Sequence, residues 1–212
     1  MIGDAARPGP DWDDVLARHL PPGHIARLRD ARVGIAGAGG LGSNCAMLLV
    51  RSGIRRLRIA DPDVVDLSNL NRQFFFPGQV GRTKVDALAE NLRALNPMLE
   101  LELIRERLDG PAAGAFFTGC DIVAEAVDSA AAKQELVHAL LAAGHGVVAA
   151  SGMGGWGGDM SRRVLGRLTV VGDFAAEVGP GRPALAPRVM MAAAMQADAE
   201  AAMDMFSMVP SA

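Results

Sequence analysis

The sequence predicts an α/β protein built on a doubly wound, mostly parallel sheet, and three observations carry that expectation. Strand-like apolar runs alternate with helical patterns from Val33 to Val171, the signature of strand–helix–strand units. The first crossover holds a glycine turn, Gly37-Ala38-Gly39-Gly40-Leu41-Gly42, between a strand and a helix. Polar side chains follow successive strand ends, at Asp61, at Asn69 and Arg72, and at Asp128, where such a sheet binds its ligands.

Each element has its own grounds. Residues 1–10 read as a loose arm because Pro8 and Pro10 block regular structure. Asp11 to Leu20 is expected as a short helix stopped by Pro21-Pro22-Gly23, and His24 to Asp30 as a second. Val33 to Ala36 is the first strand; the helix after the glycines runs to about Ser52, where Gly53 supplies a C-cap. Leu57 to Ala60 is the second strand, ending on Asp61. Arg82 to Leu95 is a helix with Val85, Leu88, Leu92 and Leu95 on one face, ended by Asn96-Pro97. Leu99 to Arg105 alternates Leu and Glu, a strand with one wet face. Asp109-Gly110-Pro111 turns into a short helix reaching Phe117, and Asp121 to Ala126 is a buried strand. Ala130 to Ala143 is helical, Val147 to Ala150 a strand, Ser151 to Gly158 a glycine-rich loop and Val164 to Val171 one further strand. An apolar helix from Ala186 to Met205 closes the chain. Residues 1–31 are thus expected as an N-terminal arm with helices, and residues 32–212 as a single domain.

Composition narrows the function classes. Half of the 212 residues are hydrophobic and 21% are charged, which fits a compact domain and not a disordered chain. A net charge of −3 with no basic stripe argues against nucleic-acid binding. No uncharged apolar run reaches the roughly 18 residues of a membrane span, and the acidic start MIGDAARPGPDWDD is unlike a secretory signal. Two cysteines in a chain of this length point to a reducing compartment; the expected location is cytoplasmic.

The glycine turn and Asp61 together indicate a nucleotide. Glycines let backbone N–H groups approach phosphate at a helix N-terminus, and a carboxylate about twenty residues on can take ribose hydroxyls. The next stretch, Asp61-Pro62-Asp63-Val64-Val65-Asp66-Leu67-Ser68-Asn69-Leu70-Asn71-Arg72-Gln73, then Gly81-Arg82-Thr83-Lys84, adds Arg and Lys beside the ribose position. A dinucleotide cofactor does not need them; a triphosphate that releases pyrophosphate does. In this reading Gly39 and Gly40 admit the phosphates and Asp61 holds ribose. Arg72 and Lys84 hold the triphosphate, Asn69 hydrogen-bonds it, and Asp128 binds Mg²⁺ through oxygen. Taken singly these residues have blander readings: Asp128 as a turn former or helix cap, Lys84 as a solvated helix charge.

GAGGLG, D-P-D-V-V-D-L-S-N-L-N-R-Q and G-R-T-K resemble the adenylating domain of the E1-like superfamily, whose bacterial ThiF and MoeB members activate ubiquitin-like sulfur carriers. The tail, ASGMGGWGG, then RRVLGRLTVVGD, then APRVMMAAAMQAD, resembles the short zinc-free ThiF-like proteins of thiamine synthesis. That resemblance covers nearly the whole chain from Arg18. It implies a Rossmann-like fold and an ATP site lined by Gly40, Asp61, Ser68 to Arg72, Lys84, Asp128 and Ser129. It implies Mg²⁺, a homodimer, and attack by the C-terminal carboxylate of a ThiS-like carrier with a Gly-Gly tail on the α-phosphorus of ATP. The family's helical preface places arginine near the phosphates, sometimes from the partner subunit; Arg18 is the match, but Pro21 stands where a second arginine is common. The two Cys-x-x-Cys pairs of zinc-binding relatives are missing, so no zinc is expected. Cys45 and Cys120 read as structural, and the four histidines have no ligand-like spacing. Met190 to Met208 reads as core or a subunit contact, and Ser151 to Gly158 with Trp156 as a channel for the carrier tail or simply a loop. Three alternatives stay open: an E1-like enzyme acting on a small-molecule or tRNA carboxylate, as in threonylcarbamoyl-adenosine dehydratases; an NAD-binding oxidoreductase using the glycine turn and Asp61; and a non-catalytic nucleotide-binding scaffold.

Overall fold

Two short helices precede the sheet in the computed structural model, which describes residues 11–175 and 178–206, with side chains to residue 201. The expected arm over residues 1–10, and Met208, lie outside the described residues. α1 (Trp12–Leu16) is capped by Asp11, whose carboxylate accepts from the Asp13 amide, and is shorter than expected. α2 (Pro22–Asp30) begins on Pro22. Pro22 was expected to stop a helix; it starts one, because the first helical N–H has no intrahelical partner to lose.

The sheet follows the expected alternation. β1 (Arg32–Ala36), α3 (Gly40–Ser52) and β2 (Arg56–Ala60) form the first unit. Gly42 is required by space, because a Cβ there would lie 1.8 Å from the Gly37 carbonyl oxygen. α4 (Lys84–Leu95) starts two residues later than expected, because Thr83 is its N-cap and accepts from the Asp86 amide. It leads to β3 (Glu100–Ile104), whose wet face pairs Glu100 with Arg56 at 3.3 Å and Glu102 with Arg58 at 2.9 Å. α5 (Gly110–Phe116) returns the chain across the sheet to β4 (Ile122–Glu125), and α6 (Ala130–Ala142) connects to β5 (Gly146–Ser151).

One element differs from expectation. The single strand at Val164–Val171 is a hairpin of β6 (Ser161–Leu165) and β7 (Leu168–Gly172), antiparallel to each other. Gly166, at φ 64°, takes the first central position of the two-residue turn with Arg167, a conformation glycine adopts without a Cβ penalty. β7 pairs parallel with β5, so the order is β3–β2–β1–β4–β5–β7–β6 with β6 at the edge. The order in which strands are added reverses between β1 and β4, which are parallel, and ligands of such sheets bind in the crevice at that switch point.

Helices cover both faces. On one, α3, α4 and α7 (Ala186–Phe206) enclose a core around Ile35, Leu49, Leu57, Ile59, Leu88 and Leu92. On the other, α5 and α6 enclose Phe117, Val123, Leu136 and Leu140. The inner side of α7 is small and apolar, with Ala192, Ala193 and Ala197 buried. Met195 is partly buried against the core, whereas Met190 and Met191 are exposed.

Candidate active site

The glycine turn joins β1 to α3 with its backbone largely held. The Gly37 amide donates to the Ala60 carbonyl at 2.8 Å, and the Ala38 amide donates to Asp61 Oδ2 at 2.6 Å. Gly39 caps α3 without any side chain, so the first amides of this 13-residue helix have no side-chain acceptor. Open amides and the helix dipole together can receive an anion. Gly40 is closely approached: a Cβ there would meet Val189 Cγ1 at 2.9 Å and the Arg72 stem at 3.7 Å.

Asp61 sits at the end of β2 and is 5% exposed. Its second oxygen, Oδ1, accepts from the Asp63 amide at 2.9 Å. A carboxylate oxygen has two lone-pair sites, so Asp61 can brace the turn and still take a hydroxyl. Lys84 is 7% exposed and not a solvated helix charge. Its Nζ lies 2.7 Å from Asp63 Oδ2 and 3.9 Å from Asp61 Oδ1. The ammonium is thus held between two carboxylates at the carboxyl end of β2.

Between them, residues 66–74 form a turn whose polar side chains first build the turn itself. Asp66 Oδ1 accepts from the Ser68 hydroxyl at 2.6 Å and the Ser68 amide at 2.8 Å. These bonds hold the Asp66 carboxyl below the ordinary carboxylate range, the hydroxyl contributing most. Asn69 Oδ1 accepts from the Asp66 amide at 3.1 Å. Ser68 and Asn69 are therefore scaffold in this structure, and the cation they carry is Arg72. Its Nη1 donates to the Ser68 carbonyl at 3.0 Å and to Asn71 Oδ1 at 2.7 Å.

Asp128 arrives from the neighbouring strand. It is exposed, and no hydrogen bond or ion pair ties it to another described residue. The segment before it is fixed: the Ala126 amide donates to the Ala36 carbonyl at 2.8 Å, and the Val127 amide to Glu125 Oε1 at 2.9 Å. Ser129 caps α6, accepting from the Ala132 amide at 3.5 Å. Asp128 is thus a free oxygen donor on a rigid mount beside the glycine turn, which suits a hard cation shared with phosphate oxygens.

The structure adds residues that pattern reasoning passed over. Ser43 and Asn44 reach from α3, and Asn91 reaches from α4, to the turn carrying Arg72. Glu125, fully buried, pairs with Lys133 Nζ at 2.8 Å, and Lys133 also donates to the Ala150 carbonyl at 2.6 Å. Burial raises the Glu125 carboxyl above its ordinary range, and Lys133 opposes the rise. Gln196 Nε2 donates to the carbonyls of Glu125 at 2.9 Å and Val148 at 3.1 Å, locking α7 to β4 and β5. Only Glu125 carried a sequence signal, as a lone polar residue inside an apolar strand; the others sit near further polar residues.

Other candidates fall elsewhere. Arg18 follows α1, which is anchored at the far end of α3, where Trp12 Nε1 donates to the Arg51 carbonyl at 3.4 Å. That helix is about 20 Å long, so Arg18 is far from the glycine turn of its own chain. Cys45 and Cys120 are buried in the two different cores. Burial pushes the Cys45 thiol well up, and the Cys120 thiol up to about 11. Among the described residues no three His, Cys, Asp or Glu side chains gather as a metal cluster. No described helix is long and apolar enough to cross a membrane. The glycine-rich loop after β5 borders a cavity of about 110 Å³ with Pro187, Arg188 and Met191, and its Trp156 is 73% exposed. Arg188 holds this loop through the Gly157 carbonyl and also pairs with Asp173.

Comparison with known proteins follows the same lines. The ThiF family matches residues 14–193. The chain is 36% identical over 135 residues to the sulfur carrier protein ThiS adenylyltransferase of Escherichia coli, across 63% of this chain and 53% of that one. It is 50% identical over 76 residues to the ubiquitin-like modifier-activating enzyme 5 of Oryza sativa subsp. japonica, across 36% of this chain and 18% of that one. The chain therefore spans from under a fifth to about half of these relatives. Among solved structures, the E. coli tRNA N6-threonylcarbamoyladenosine dehydratase TcdA in complex with AMP matches with a TM-score of 0.83. The identity is 20%, over 92% of this chain and 94% of that one. E. coli MccB with ATP matches with a TM-score of 0.66 at 21% identity, over 85% and 58%. Identities this low establish a shared fold.

Proposed function

The chain belongs to the ThiF family, and from that premise we propose that it is an E1-like adenylyltransferase. Its substrates in this reading are ATP and the C-terminal glycine carboxylate of a ThiS-like carrier with a Gly-Gly tail. One observation carries the reading: the uncapped start of α3, the Arg72 stem over Gly40, the buried Lys84 and the free carboxylate of Asp128 all follow the carboxyl ends of adjacent strands. The 36% identity to a ThiS adenylyltransferase supports the carrier type.

The roles follow from charge and reach. Asp61 takes the ribose hydroxyls while its other lone pairs keep Ala38 and Asp63 in place. Gly39 and Gly40 leave the α3 amides open to the phosphates. The carrier carboxylate attacks the α-phosphorus; its oxygen forms the new P–O bond as the bond to the β-phosphate breaks, and pyrophosphate leaves with the electron pair. Arg72 and Lys84 neutralise the charge growing on that leaving group. Mg²⁺ held by Asp128 would add charge neutralisation at the phosphate oxygens. Ser68, Asn69 and Ser129 shape the walls of the site. Arg18, remote in its own chain, belongs in this reading to the phosphates of a partner in a homodimer. The loop from Ser151 to Gly158 lines the path of the carrier tail.

The test is ATP–pyrophosphate exchange with Mg²⁺, with and without a Gly-Gly-tailed ThiS-like carrier, for wild type and Asp128→Ala. Carrier-dependent exchange that Asp128→Ala removes is the expected result. The near-complete match in fold to TcdA favours one second reading, activation of a carboxylate on tRNA; exchange stimulated by such an RNA and not by a carrier would establish it instead.

A further inference from the structure

We propose that Asn44 is a positioning residue that sets Arg72 against the start of α3; this rests on the nucleotide-binding reading above. Asn44 lies in the second turn of α3 and is 4% exposed. Asparagine is a poor helix former, and an amide hidden from water is costly unless hydrogen-bonded. Its Nδ2 donates at 2.6 Å to the carbonyl of Gly40 and at 2.8 Å to the carbonyl of Arg72. Both N–H groups of one amide therefore join the glycine turn to the residue that carries the cation.

The neighbouring side chain repeats the arrangement. The Ser43 hydroxyl donates to the Gly39 carbonyl at 2.7 Å and accepts from the Phe74 amide at 3.0 Å. On the far side Asn91 Nδ2 donates to the Phe74 carbonyl at 2.8 Å, and its Oδ1 accepts from Gln79 at 2.7 Å. Arg72 is held at both ends: its main chain by Asn44, its guanidinium by the Ser68 carbonyl at 3.0 Å. Its stem then runs past Gly40, within 3.7 Å of where a Cβ would stand. Without Asn44 the guanidinium keeps its charge and loses its fixed origin. Phosphate binding then includes an ordering cost that wild type has already met during folding.

The experiment is a double-mutant cycle on the dissociation constant for ATP with Mg²⁺, using wild type, Asn44→Ala, Arg72→Ala and the double variant. Alanine suits a helix interior, so Asn44→Ala is expected to fold; Asn44→Asp, which keeps the shape but presents an ionised oxygen to two carbonyls, is the second variant. Melting temperatures without nucleotide accompany the binding curves. Loss of the clamp weakens ATP binding roughly tenfold when Arg72 is present and less than about twofold when it is absent, because Asn44 acts only through Arg72. Equal losses in both backgrounds, or unchanged binding in both Asn44 variants, overturn the proposal while leaving the nucleotide site intact. Wild type that does not bind ATP overturns the nucleotide reading and this inference with it; ATP bound as well without Arg72 overturns this inference and leaves the nucleotide site.

Discussion

Two regions at the carboxyl ends of the strands are held in different ways. Around β1 and β2, side chains from three elements fix the main chain: Asp61 holds Ala38 and Asp63, Ser43 and Asn44 hold the Arg72 turn from one side, and Asn91 holds it from the other. Beyond β5, the glycine-rich loop is tied by Arg188 and by backbone bonds such as Gly155 to the Pro183 carbonyl at 3.0 Å. The contrast matches what each region would bind. A triphosphate is small and always the same, so a preorganised cradle serves it. A protein tail arrives extended and needs room, which glycines and an exposed Trp156 leave. Both regions lie at the carboxyl ends of parallel strands, with β4 between them, so one edge of the sheet can join a fixed site to an adaptable one.

Substitutions can break or sharpen that comparison. The largest effect is expected for Asp128→Ala, which should lower carrier-dependent exchange by roughly 100-fold or more. Its melting temperature should stay that of wild type, because an exposed side chain without partners adds little to stability; a large thermal loss would make Asp128 part of the frame. Gly42→Ala comes next. A Cβ lodged 1.8 Å from the Gly37 carbonyl oxygen should cost about 1–3 kcal/mol in urea unfolding and weaken ATP binding with it. Trp156→Ala should raise the KM for carrier a few-fold and leave ATP binding within about twofold; an unchanged carrier KM would remove the loop from the tail path. The smallest effect belongs to Asp66→Asn, followed as melting temperature against pH. Bonds from Ser68 lower the folded-state pKa of Asp66, so its contribution is present above the ordinary value of 3.8 and is lost as pH falls through the lowered one. The variant should show a shallower acid limb and near-wild-type stability at neutral pH, since asparagine also caps.

Much of this was legible in the residues. Gly53 and Asp109 marked helix ends because capping is local chemistry, whereas Thr83 and Ser129 were passed over as caps; the alternation of Leu99 to Arg105 marked a strand with one wet face. The hairpin at Gly166 was harder, because the apolar run continues through Leu168 and only one glycine interrupts it. Pro22 misled in the other direction, since the same ring that ends a helix can begin one. In the site, the residues that would touch nucleotide stand out by type and spacing. Their supports, Ser43, Asn44, Asn91 and the Glu125–Lys133 pair, do not, because they act through contacts between residues far apart in sequence. The buried state of Lys84 was likewise hidden, since it depends on Asp61 and Asp63 closing over it.

The most direct measurement is the intact mass of a ThiS-like carrier after incubation with the protein, ATP and Mg²⁺, quenched before hydrolysis. The account predicts a carrier species heavier by one adenylate, located at the C-terminal glycine and missing with Asp128→Ala. A carrier of unchanged mass, with ATP bound and a tRNA carboxylate consumed instead, would contradict it.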